Sequence, residues 1–137
     1  MKPTPPIGHW LKKADEVLTA SIDEAQRENG LARLDWQVLN VIKERGFATR
    51  DQVAAMLQPF ADPATIIRVI QRLVERGVVE REPPEDRYSL SPRGRELHEK
   101  ALASQTEVRA RAMRDINAAD FATTVRVLQK IVENLES

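Results

Sequence analysis

Asp62-Pro63-Ala64-Thr65-Ile66-Ile67-Arg68-Val69-Ile70-Gln71-Arg72-Leu73-Val74-Glu75-Arg76-Gly77, residues 62–77, carries its own start and stop signals. Asp62 can cap a helix, Pro63 suits the first helical position because its missing N–H has no partner there, and Gly77 ends the run. Within it, Ile66, Val69, Ile70 and Leu73 recur at helical spacing and predict one buried face. Thr65, Arg68 and Arg72, at i, i+3 and i+7, share another face.

Upstream, Thr49-x-x-Gln52 reads as a capping box opening a short helix with Val53, Met56 and Leu57. Before it, Asp35 is placed as the cap of a helix carrying Trp36, Val38, Leu39, Val41 and Ile42 and ending at Gly46. Downstream the period changes. Residues 78–82 and 87–91 predict two short strands around the turn Pro83-Pro84-Glu85-Asp86. Ser91-Pro92 repeats the cap-plus-proline signal and starts a long polar helix, and Asn117-x-x-Asp120 starts another.

Long helices flank this unit. After an extended arm with Pro3, Pro5 and Pro6, residues Ile7, Trp10, Leu11, Ala14, Val17, Leu18, Ile22 and Ala25 form one stripe, stopped near Gly30. At the other end Phe121, Val125, Leu128, Ile131, Val132 and Leu135 form a second. So small a central unit cannot cover both, and dimerisation through them is expected, against the alternative that they pack on each other within one chain.

Composition narrows the function. The chain has 137 residues, 42% hydrophobic, enough for one core, and no cysteine, which removes disulfides, thiolate metal sites and thiol redox sensing. No apolar run approaches a membrane span and no signal-peptide core stands at the N-terminus, so a cytoplasmic protein is expected. Catalysis is not expected. His9 and His98 lack partners at metal-ligand spacing, no glycine-rich phosphate loop is present, and no serine sits in a nucleophile turn. No cofactor and no metal are called for.

The 62–77 helix, preceded by a short helix and a turn, fits a recognition helix entering the major groove of duplex DNA. Arg68 and Arg72 can bind guanine O6 and N7 with a planar fork, or a phosphate. Thr65 can meet a phosphate or a thymine methyl, Ala64 allows close approach, and Ile67 near the exposed side is an apolar contact or a core edge.

Residues 31–97 resemble the multiple antibiotic resistance regulator (MarR) family of winged helix-turn-helix transcription regulators. The stretch from Asp62 to Arg81 resembles that family's recognition helix running into its wing. Asp86-Arg87 and Leu90-Ser91-Pro92-Arg93-Gly94 resemble the wing's Asp-Arg and the Leu-Thr-x-x-Gly after it. The resemblance implies a mainly α fold with a small β-hairpin wing: a single MarR-like domain over residues 1–137, a DNA-binding lobe over 34–94, and dimerisation helices over 7–30 and 115–137, joined by the end of the fifth helix. It implies a homodimer reading a palindrome, with Arg87 in a minor groove; Arg50 and Arg93, at or near helix starts, are candidate phosphate partners. It also implies a repressor released by a small aromatic or phenolic effector, for which His9, Trp10 and Trp36 are the candidate contacts.

This chain departs from that pattern in its wing. Four steps separate Asp86 from Leu90, fewer than the family usually has, which puts Arg87 close to the strand. Residues 78–91 set Arg81 and Arg87 against Glu80, Glu82, Glu85 and Asp86, a balance of −2. Residues 62–77 carry only +1, and residues 92–114 carry +3. With 21 basic and 21 acidic residues overall, weak or strongly salt-sensitive DNA binding is expected. The alternative reading is a winged helix used for protein–protein contact, or a family member that has lost DNA binding.

Overall fold

The computed structural model describes residues 3–83 and 86–137. Six helices are present among them: α1 (Ile7–Glu28), α2 (Arg33–Arg45), α3 (Arg50–Leu57), α4 (Pro63–Glu75), α5 (Pro92–Ala112) and α6 (Ala118–Glu136). Three short strands, β1 (Ala48–Thr49), β2 (Val79–Glu82) and β3 (Arg87–Leu90), form an antiparallel sheet in the order β1-β3-β2. The expected mainly α architecture with a hairpin wing is what forms. Of the expected wing turn, Pro84 and Glu85 lie outside the described residues.

Local signals set most boundaries. Asp62 Oδ1 accepts the Thr65 N–H at 2.8 Å, and that bond holds the Asp62 carboxyl below the usual carboxylate range. Thr49 and Gln52 exchange both capping bonds, at 3.1 and 3.0 Å. Asn117 Oδ1 accepts from the Asp120 N–H at 2.8 Å. Helix α4 ends in a left-handed residue, Gly77 at φ +77°, with the Gly77 N–H on Val74 O and the Val78 N–H on Leu73 O. That pair satisfies two of the last helical carbonyls.

One reading needs correction. Asp35 is not the cap of α2. The helix begins two residues earlier, at Arg33, and Asp35 reaches back to accept the Ala32 N–H at 2.9 Å. Strand β1 carries no sequence signal, because two residues are too short for a period-2 pattern; it follows the left-handed Gly46 at φ +81° and pairs Ala48 with Tyr88 and Thr49 with Arg87.

The core is built from α2, α3, α4 and the sheet. Val38, Leu39, Ile42, Val53, Ile66, Ile70 and Leu73 are fully enclosed in it. Helix α5 leaves this core over Gly94, where an added Cβ would stand 1.9 Å from the Val78 carbonyl oxygen. Only glycine permits that approach. Beside it, the Ser91 hydroxyl donates to Gly77 O at 2.6 Å and accepts the Gly94 N–H at 3.0 Å, tying the end of α4 to the start of α5.

The termini behave differently. Helix α1 packs its C-terminal half on α5, where buried Gln26 donates to Ala101 O at 2.8 Å and Asn29 donates to Ser104 Oγ at 3.0 Å. No residue of α6 is buried. None of the helices is long and apolar enough to cross a membrane, among the described residues.

Candidate nucleic-acid interface

Helix α4 buries one face and presents another. Ile66, Val69, Ile70 and Leu73 are buried, while Ala64 and Arg68 are exposed and Thr65 and Ile67 are half-buried. The Arg68 guanidinium donates to Thr65 Oγ1 at 3.3 Å, so these two side chains form one polar surface a single turn long. This surface stands at the N-terminal end of α4, where the helix dipole favours an anion and the Asp62 carboxylate already accepts the Thr65 N–H. Ala64 beside it adds no bulk.

Arg72 is placed differently. Its Nη2 lies 2.6 Å from Oδ1 of Asp35, a carboxylate only 5% exposed. It remains on the α4 surface, but that guanidinium is already engaged. The sequence pattern places Asp35 at a cap, and nothing local marks a partner 37 residues away.

The wing base brings two further candidates close. Thr49 pairs with Arg87, so Arg50, exposed at the first position of α3, follows directly from the residue opposite Arg87. The Arg87 guanidinium lies over the Phe47 ring, 4.4 Å from its centroid, and its Nη2 is 3.6 Å from the Glu82 carboxylate. Arg81 is bound to Asp86 through Nε at 2.7 Å. The wing's basic side chains are therefore paired with the wing's own acids. Phe47, half exposed, was not singled out from the sequence.

Arg93 does not join this group. Its Nη1 sits 3.5 Å from where a Gly77 Cβ would be, at the opposite end of α4 from Ala64 and Thr65. Thirteen helical residues, about 20 Å, separate those ends. Arg93 and Arg76 lie in a cleft with Asn29, Glu96 and Lys100.

The candidate effector contacts are also separated. His9 and Trp10 are edge-to-face at 5.0 Å on the exposed first turns of α1. Trp36 is 8% exposed and stacks on buried His98 at 5.0 Å. An open groove of about 670 Å³ runs beside Trp36 between α1 and α2, lined on α1 by residues such as Asp15, Thr19 and Asp23 rather than by His9 or Trp10. Phe60, two-thirds exposed, also lines it. His98 makes a 3.1 Å hydrogen bond to Asn40 Oδ1, and burial, with Lys43 nearby, pushes its imidazole below the usual histidine range. From sequence, His98 was seen only as a histidine without metal partners.

Residues 31–136 match the family described as penicillinase repressor. The chain belongs to the penicillinase repressor family. The match begins after α1, so helices α2 to α6 and the three strands all fall within it. No curated protein gives a significant sequence match to this penicillinase repressor family member. Among solved structures, the reduced form of MarR from Escherichia coli is similar at TM-score 0.75 and 20% identity, over 94% of this chain and 95% of that one. The Mycobacterium tuberculosis MarR family protein Rv2887, solved in complex with DNA, is similar at TM-score 0.77 and 23% identity, over 93% and 98% of the two chains. YusO from Bacillus subtilis is similar at TM-score 0.73 and 16% identity, over 93% and 92%. The MarR resemblance read from the sequence is thus borne out in the fold of the whole chain.

Proposed function

We propose that this protein is a transcription regulator that binds duplex DNA as a homodimer and represses by occupying its site. The observation that carries the proposal is α4. It is locked by a capped N-terminus and a fully buried inner face, and it turns Ala64, Thr65 and Arg68 outward at the end a groove would meet. The family of the chain and the Rv2887–DNA complex on the same fold support it. In this reading residues 34–94 are the DNA-binding lobe of a single domain spanning 1–137, and Arg50 and Arg87 flank the reading surface on the wing side.

Residues 7–30 and 115–137 form the dimer. Trp10, Leu11, Val17 and Leu18 on α1, and Phe121, Val125, Val132 and Leu135 on α6, remain exposed, and such faces are the usual mark of association. A dimer would set the spacing of two α4 helices to the DNA half-sites. A small aromatic effector seated against Trp36 would alter that spacing by shifting α1 against α2, provided it binds one arrangement better than the other. The protein acts by binding, not by catalysis.

The wing favours one competing reading, a protein-contact module, because Arg81 and Arg87 are paired with Asp86 and Glu82 instead of being free for phosphate. Recovery of bound genomic duplex fragments over a salt titration separates the two. A shared palindrome, with log affinity falling linearly against log salt, is expected of the regulator. A folded dimer that retains no duplex at low salt overturns it in favour of the contact module.

A further inference from the structure

The polar centre of the lobe is the Asp35 carboxylate. It is buried, and both oxygens are used. Oδ1 takes Arg72 Nη2 at 2.6 Å, while Oδ2 takes the Ala32 N–H at 2.9 Å and faces Arg76 Nη1 at 4.0 Å. One side chain therefore fastens the first turn of α2 to the last two turns of α4. Charge-assisted bonds of this length are strong and directional, and a buried carboxylate that loses its cation is left uncompensated. Reading a guanine edge requires a guanidinium to offer two parallel N–H donors outward. Arg72 has one of its terminal nitrogens turned to Asp35 instead.

We infer that Arg72 is a positioning residue: with Asp35 it fixes how α4 lies on α2, and groove reading is left to Ala64, Thr65 and Arg68. The inference rests on the DNA-binding reading above and deepens it. Thr65 stands seven residues before Arg72, about 10 Å along the helix axis, so a small tilt at the Asp35 end moves the reading surface. Loosening the pair costs recognition without removing a phosphate contact. Arg72 and Arg68, which look equivalent on a helical projection, then do different work.

Three variants test this on a duplex fragment enriched by the wild-type protein: Asp35→Asn, Arg72→Gln and the double substitution. Each single change is expected to lower affinity for the enriched duplex about tenfold, within the range for coupled contacts, and the double to be no weaker than either. Affinity for unrelated duplex should change little, so the specific-to-nonspecific ratio falls. The slope of log affinity against log salt should stay at the wild-type value. A slope reduced by about 0.9 per protomer in Arg72→Gln would identify a direct phosphate contact and overturn the inference. So would Asp35→Asn binding as tightly as wild type, or specific and nonspecific affinities falling together with the helical signal. If Asp35→Asn does not fold, the slope and ratio of Arg72→Gln decide alone. Wild-type protein that binds no duplex sinks the regulator reading and this inference with it, whereas a wild-type protein that binds beside an Arg72→Gln variant of reduced slope sinks only the inference.

Discussion

Helices α4 and α6 begin alike. Each has a side-chain cap accepting from the third helical N–H at 2.8 Å, and each carries an apolar stripe of four or more residues at helical spacing. Their fates differ. In α4 the stripe is buried to within 4% exposure at every position, whereas in α6 Phe121 is 50% exposed, Val132 51% and Leu135 82%. Periodicity announces that a face will be covered, but it does not say by which chain. For α4 the cover is α2, α3 and the sheet, whereas within this chain no residue of α6 is buried, which is why the proposed function gives that face to a second copy.

Substitutions within the two stripes separate a face covered by its own chain from one that is not. Ile70→Ala should cost about 2–5 kcal/mol, because the fully enclosed site cannot collapse around the cavity. Denaturant melts should give that loss equally at every protein concentration. A cost below about 1 kcal/mol would mean that α4 is not the fixed element claimed.

Val125→Asp should weaken association by about 2 kcal/mol or more while leaving the helical signal of the monomer intact. Sedimentation equilibrium reads the first and circular dichroism the second. Wild-type melting should rise with protein concentration and the variant's should not. Unchanged mass in solution would show that the α6 face is not the contact.

Thr49→Ala tests the purely local part of the lobe. Loss of the 3.1 Å cap bond should cost about 1 kcal/mol, and chemical denaturation should show it at any concentration. A cost near zero would mean the β1–β3 pairing, not the cap, sets where α3 starts.

The smallest effect concerns His98. Its folded-state pKa is lowered by burial, so the unfolded chain binds more protons and stability rises with pH. The contribution is full above the unfolded value of about 6.5 and is lost as pH falls below it, by at most about 1.4 kcal/mol per pH unit for one proton. Melting temperature should decline from pH 7 to pH 5, and His98→Gln should flatten that decline. A variant as pH-sensitive as wild type would place the dependence elsewhere.

Much of the fold was legible because its signals are local. Asp62-Pro63, Thr49-x-x-Gln52, Ser91-Pro92, Asn117 and Gly77 act through bonds to backbone groups a few residues away, and those bonds form as the sequence implies. The outward residues Ala64 and Arg68 followed from the same reasoning, since a helix with one apolar face must turn its others elsewhere. Gly94 stood in a recognisable motif, but the reason for it, the Val78 carbonyl against α5, is a contact between elements.

The order of the six helices and the hairpin, the capped starts of α3, α4, α5 and α6, and the buried stripe of α4 were thus legible in the sequence, as consequences of covalent geometry and near-neighbour hydrogen bonding. Only the tertiary structure decided that Asp35 would leave the cap and hold Arg72, that Ala48 and Thr49 would join the sheet, and that Trp36 would lie on His98. It also decided that Arg93 would stand at the far end of α4 from Thr65. Each of these depends on which distant segments meet. That is set by the packing of several faces together, which no single window of residues encodes.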